Sequence, residues 1–171
     1  PVAFALSAHG TGGRAQLQGE LAYGDLRATI QPSVASLEEQ VLEFDPLMVD
    51  LLEGRVSVTG RGDFADPHAA DLRYAVVARG LAWAPTPEDG AAPDPAATIR
   101  ADADLGIAGT AALWAIVGDA RLQRGDERAE VELKGRGNQQ RIDIGTLVAR
   151  TPTGRLDGSG HVTWAPALAW D

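Results

Sequence analysis

The chain has 171 residues, with 15 Lys and Arg against 24 Asp and Glu for a formal charge of −9. That acidic balance argues against nucleic acid and against electrostatic docking on anionic lipid heads. The lack of cysteine excludes a disulfide framework and any thiolate metal site.

Period-two alternation of apolar and polar residues, the signature of a strand with one covered face, recurs from one end to the other. Ala15, Leu17, Gly19, Leu21 and Tyr23 share one face against Arg14, Gln16, Gln18 and Glu20. Leu26, Ala28 and Ile30 follow, opposed by Arg27, Thr29 and Gln31. Residues 36–41 offer one turn of helix, too short to stand alone. The strand pattern returns at Leu42 and Phe44, at Val56 and Val58, and at Leu72, Tyr74 and Val76. Residues 83–97 hold Pro85, Pro87, Pro93 and Pro95 with Glu88-Asp89-Gly90, a composition that predicts a long exposed loop. Beyond it the apolar series is read as Leu105 and Ile107, then Leu113, Ala115 and Val117. The clearest stretch sets Ala129, Val131 and Leu133 against Arg128, Glu130, Glu132 and Lys134. Ile142 and Ile144 oppose Arg141 and Asp143, and Leu156, Val162 and Trp164 close the series. Turns are predicted at 9–13, 23–25, 124–127 and 135–138, where Gly, Asp and Asn gather.

One unit occurs twice. Gly54-Arg55-Val56-Ser57-Val58-Thr59-Gly60, ending in Phe64 and Pro67, is echoed by Gly154-Arg155-Leu156-Asp157-Gly158-Ser159-Gly160, ending in Trp164 and Pro166. The two glycines that open these units lie 100 positions apart, 154 minus 54. Residues 1–82 then form a first copy, 83–97 a connecting loop and 98–171 a second copy, all within one segment of a longer repeat array. No apolar run approaches the roughly 20 residues of a membrane span. No basic signal-peptide stretch opens the chain, which is expected to be an internal piece of a longer protein. The expected fold is all-β. With no amphipathic helix to cover an apolar sheet face, the choices are a sandwich, a barrel, or one sheet curled into a trough. Aromatics at 5% and an apolar set of mostly Ala, Val, Leu and Ile favour the trough.

Motifs that carry chemistry are weak. Arg61-Gly62-Asp63 matches an integrin-binding tripeptide but lies within a strand-to-turn segment. His9, His68 and His161 are far apart and lack carboxylates at ligand spacing. Asp102 and Asp104 share a face that Leu105 and Ile107 do not, and read as solvated charge. Gly10-Thr11-Gly12-Gly13 and Gly135-Arg136-Gly137 open no helix and read as turns. The serines have no nucleophile-elbow context. No enzymatic activity, metal or cofactor is expected.

Gly118-Asp119-Ala120-Arg121-Leu122-Gln123-Arg124-Gly125, then Ala129-Glu130-Val131-Glu132-Leu133-Lys134-Gly135-Arg136-Gly137, is similar to the repetitive β region of the TamB family. That family belongs to the AsmA-like, bridge-type lipid-transport proteins. The stretches 150–160 and 164–171 extend the likeness, which covers about the last 70 residues well and about the first 80 more loosely. The resemblance implies an inner-membrane anchor outside this fragment and a periplasmic location in a Gram-negative cell. It implies a U-shaped β-taco with an apolar interior, and a TamA-like partner of the Omp85 class reached through another region. The implied role is shielding phospholipid acyl chains between inner and outer membranes. The implied groove wall is Leu17, Leu21, Ile30, Phe44, Val58, Tyr74, Ile107, Leu122, Val131, Leu133, Ile144 and Leu156. Two other readings stand beside it: a β-strand chaperone or scaffold for outer-membrane protein assembly, and a purely structural β-repeat spacer.

Overall fold

The computed structural model describes residues 2–23, 26–66, 69–84, 95–110, 112–164 and 169–170. They form one antiparallel meander of twelve strands in which spatial order equals chain order. The first half comprises β1 (Val2–Thr11), β2 (Arg14–Tyr23), β3 (Leu26–Glu38), β4 (Val41–Leu51), β5 (Gly54–Asp63) and β6 (Asp71–Trp83). The second comprises β7 (Ile99–Thr110), β8 (Leu113–Arg124), β9 (Glu127–Gly137), β10 (Arg141–Thr151), β11 (Gly154–Thr163) and β12 (Ala169–Trp170). A single 3₁₀ turn, Pro95–Ala97, precedes β7. The sheet is open: among the described residues β1 and β12 are not joined. The rest of the proline-rich loop, 85–94, and the turn at 24–25 lie outside the described residues.

The hairpins follow local turn chemistry. Gly12 and Gly13 both take positive φ, +64° and +81°, the conformation of a two-residue turn whose twist matches that of its strands. The segment 36–41 forms no helical turn. β3 runs through Glu38 and β4 starts at Val41, with Glu39 and Gln40 turning at φ 48° and 70°. Pairing with β2 and β4 satisfies backbone groups that one isolated helical turn would leave open. Gly135 and Gly137 belong to β9 and not to a turn, which comes at 138–140.

Bulges keep the faces aligned. On four strands two residues are inserted against one: Gln31-Pro32 in β3, Asp45-Pro46 in β4, Arg79-Gly80 in β6 and Gly145-Thr146 in β10. Each insertion would flip the side chains of a straight strand to the other face. The series on the inner face instead jumps by three at each site: Ile30 to Ser33, Phe44 to Leu47, Ala78 to Leu81 and Ile144 to Leu147. Pro32 and Pro46 sit where no ladder hydrogen bond is needed. The Ser33 hydroxyl fills the gap between them, accepting the Met48 N–H at 3.0 Å and donating to the Gln31 carbonyl at 2.7 Å.

The repeat is structural as well as sequential. The β4–β5 hairpin pairs Leu51 with Gly54, Val49 with Val56 and Leu47 with Val58, then bulges and resumes at Phe44 with Gly60. Adding 100 to each number gives the β10–β11 hairpin: Thr151 with Gly154, Ala149 with Leu156, Leu147 with Gly158, and Ile144 with Gly160 after the bulge.

Among the described residues no second layer covers the sheet. The accessible surface is 11605 Å², against roughly 8,000 Å² for a compact monomer of this mass. Ala35, Ala70, Ala78 and Val148 are the buried apolar residues among those described, and none of the large side chains is fully buried. Ala35 and Ala78 lie on the face of Phe44 and Ala103, whereas Val148 lies on the other face, opposite Glu132 and Asp157. Trp114 of β8 and Trp164 after β11 have ring centroids 6.4 Å apart, although three strand spacings separate their backbones by about 14 Å in a flat sheet.

Candidate functional site

Residues directly opposite in an antiparallel ladder point to the same face, so the register sorts every strand from β2 to β11. One face carries the charge. Across it run Asp50–Arg55 at 2.7 Å, Asp104–Arg79 at 2.7 Å, Glu132–Lys134 at 2.7 Å, Asp143–Arg141 at 3.0 Å and Asp157–Arg155 at 2.8 Å. The Arg55 guanidinium hydrogen-bonded to Asp50 holds that carboxyl below its ordinary pKa, and Arg155 does the same for Asp157. Lys134, with Arg150 behind it, lowers Glu132. Asp102 and Asp104 belong to this outer face. The Asp102 carboxylate accepts the Gly80 N–H at 2.7 Å and so ties down the β6 bulge, a structural use.

The other face is an apolar wall. All twelve residues singled out from the sequence fall on it: Leu17 and Leu21 (β2), Ile30 (β3), Phe44 (β4), Val58 (β5), Tyr74 (β6), Ile107 (β7), Leu122 (β8), Val131 and Leu133 (β9), Ile144 (β10) and Leu156 (β11). Continuous rows cross the sheet. Val58, Val76, Leu105, Gly118 and Leu133 form one, and Gly60, Tyr74, Ile107, Ile116 and Gly135 form the next. Ten of the twelve are half-buried, while Leu21 and Leu156 are exposed.

The placing of Leu113, Ala115 and Val117 on the apolar side is overturned. Ile116 pairs with Ile107 and Trp114 with Gly109, so the odd residues of β8 face outward. Leu113 is 64% and Val117 51% exposed. The run Leu113-Trp114-Ala115-Ile116-Val117 is apolar at every position, so alternation within it cannot choose a face. The partner strand chooses.

Aromatic side chains lie over glycines of the wall. The Trp114 indole covers Gly137, where a Cβ would overlap the ring, and Trp164 stacks on Trp114 with 18° between planes. The Trp164 indole N–H donates to the Gln139 carbonyl at 2.8 Å. Phe44 and Tyr74 meet across Gly60 with centroids 6.1 Å apart. Burial beside this wall pushes the Tyr74 hydroxyl above its ordinary pKa.

Between β2 and β11, and leaving the bulges aside, the inward register positions are Gly, Ala, Val, Leu, Ile, Phe or Trp with few exceptions. Among the residues with described side chains, Ser33, Thr151 and Tyr74 are the uncharged ones. Arg124 and Glu127 are the charged ones, directly opposite each other where β8 turns into β9. Reasoning from the sequence missed this pair, although Arg124 keeps the parity of Leu122. They border a cleft of about 560 Å³ whose apolar lining includes Ile99, Leu122 and Ala129 and which the turn at Thr151, Pro152 and Thr153 overhangs.

Among the described residues no group of three or more His, Asp or Glu could hold a metal ion, and no helix is long and apolar enough to cross a membrane. No family model matches the chain, and neither a curated protein nor a solved structure matches it.

Proposed function

We propose that this chain is a segment of a TamB-like periplasmic bridge that shields phospholipid acyl chains in an apolar groove between the inner and outer membranes. The observation that carries the reading is the predominantly apolar face from β2 to β11, left without a covering layer among the described residues. Each acyl methylene exposed to water costs about 0.8 kcal/mol, so two chains in transit cost tens of kcal/mol without shelter. A wall of modest side chains removes most of that cost at every step along its length, and no catalytic group is needed. Head groups ride in solvent at the open side, and the acidic outer face resists adhesion to anionic membranes. Anchoring in the inner membrane and contact with a TamA-like outer-membrane partner belong to regions outside this chain.

Site-specific photocrosslinking in cells with labelled phospholipid tests the reading. Probes at Val131 and Leu133 are expected to give lipid adducts, and probes at Glu130 and Glu132, on the same strand but the outer face, are not. Equal labelling at both pairs, or none at either, would sink the groove.

A further inference from the structure

We propose that Arg124 and Glu127 form a head-group clamp that selects a zwitterionic amphiphile, one carrying a phosphodiester next to an ammonium. The proposal rests on the groove reading above and adds which lipids stop at this point. Within the strands β2–β11, outside the bulges, this is the one oppositely charged pair that the register turns toward the apolar wall. It stands where the wall ends: Ile99 and Leu122 lead up to Arg124, and Ala129 leads up to Glu127. An alkyl chain on the wall therefore brings its head to the pair.

The charges match a zwitterion better than any other head. Arg124 meets Glu127 at 2.8 Å, but the side chains are 58% and 75% exposed. A pair so wet holds its partners weakly, so opening it around a ligand costs little. The guanidinium then takes the phosphate oxygens in a forked contact, while the carboxylate takes the ammonium. A purely anionic head satisfies Arg124 and is repelled by Glu127 and by Asp126 beside it. A neutral sugar head leaves both charges as they were. Arg128, Asp126, Arg124 and Glu127 together make the mouth of the cleft neutral, two charges of each sign, in a chain whose net charge is −9.

The test uses dodecyl amphiphiles below their micelle concentrations, with phosphoethanolamine, maltoside or phosphate heads, and intrinsic tryptophan fluorescence or calorimetry as readout. The intact chain is expected to bind the phosphoethanolamine about fivefold tighter than the maltoside, the size of one exposed charge contact. In Arg124→Gln/Glu127→Gln that ratio falls to parity, and in the swapped variant Arg124→Glu/Glu127→Arg it returns, because both charges are restored. Equal binding of phosphoethanolamine and maltoside by the intact chain overturns the clamp and leaves the groove intact, as does tighter binding of the phosphate head. A preference that survives the double substitution also overturns it. Binding of none of the three overturns the groove itself, and the clamp with it.

Discussion

Phe64 and Trp164 occupy equivalent places 100 residues apart: each donates its backbone N–H to a glutamine carbonyl, Gln40 and Gln140, at 2.9 Å. In each case the turn that leads into a hairpin is stapled to the residue that follows the hairpin's second strand. Trp164 adds to this the indole bond to Gln139 and the stack on Trp114, so the second copy is closed more firmly than the first. Replacing Trp164 by Ala removes a stacked aromatic pair and a side-chain hydrogen bond, together about 2 kcal/mol. Urea midpoints should fall accordingly with an unchanged slope. Trp164→Phe should recover most of the stacking and lose only the indole bond.

Gly137 and Gly145 make a matched pair of substitutions. A Cβ at Gly137 would run into the Trp114 ring, whereas one at Gly145 meets nothing within 4 Å. Gly137→Ala should cost about 1–3 kcal/mol, the range for overpacking, and should disturb the near-ultraviolet circular dichroism of the Trp114–Trp164 stack. Gly145→Ala should leave both signals within about 0.5 kcal/mol and of native shape. Equal effects at the two positions would mean that Trp114 does not rest on Gly137.

The faces of β9 are legible from sequence because every outward position of Arg128 to Lys134 is charged and every inward one is apolar. β8 is not, because Leu113 to Val117 offers apolar residues to both sides and only its pairing with β7 decides. The bulges are half legible. Pro32, Pro46, Gly80 and Gly145 mark breaks in the local pattern, but that each break restores the apolar parity three residues later requires the neighbouring strand. Arg124 and Glu127 were hidden for a related reason: at strand ends, charge reads as turn chemistry until the register shows which way it faces.

Leu52 and Glu53 turn the β4–β5 hairpin with φ of 50° and 64°, a conformation that costs residues with a Cβ about 1 kcal/mol or more each. Glu53 is exposed. Glu53→Gly should therefore raise the thermal midpoint by about 2–4 °C, as expected for about 1 kcal/mol in a chain of this size. Calorimetry would check it. The same change at Asp126, which does not take positive φ, should give no gain.

Acid should weaken the outer face. Asp50, Glu132 and Asp157 have pKa values lowered in the fold by Arg55, by Lys134 and by Arg155. Their stabilising contribution is thus fully present above the ordinary carboxylate pKa of about 4, and is lost as pH falls through the lowered folded values. Thermal midpoints should be flat from neutrality to mildly acid pH and then drop. Molar salt should flatten that drop, because these pairs are exposed to solvent. Asp50→Asn with Asp157→Asn should reduce the acid sensitivity; a drop of unchanged size would place its origin elsewhere.

Leu105 and Val117 separate the wall from the outer face most sharply, because they sit on adjacent paired strands and point opposite ways. Leu105 is half-buried in the row from Val58 to Leu133, and Val117 is 51% exposed. Leu105→Asp places a carboxylate in the middle of the path, where an alkyl chain sliding past would have to strip its hydration, an expensive step in an apolar surrounding. Amphiphile binding, followed by fluorescence of an environment-sensitive alkyl probe, should drop about tenfold or more, equivalent to 1.4 kcal/mol. Val117→Asp adds the same charge a few ångströms away on the other side of one sheet and should leave binding as it was. If the two variants bound alike, the apolar face would be a closed packing surface, and the spacer reading would replace the groove.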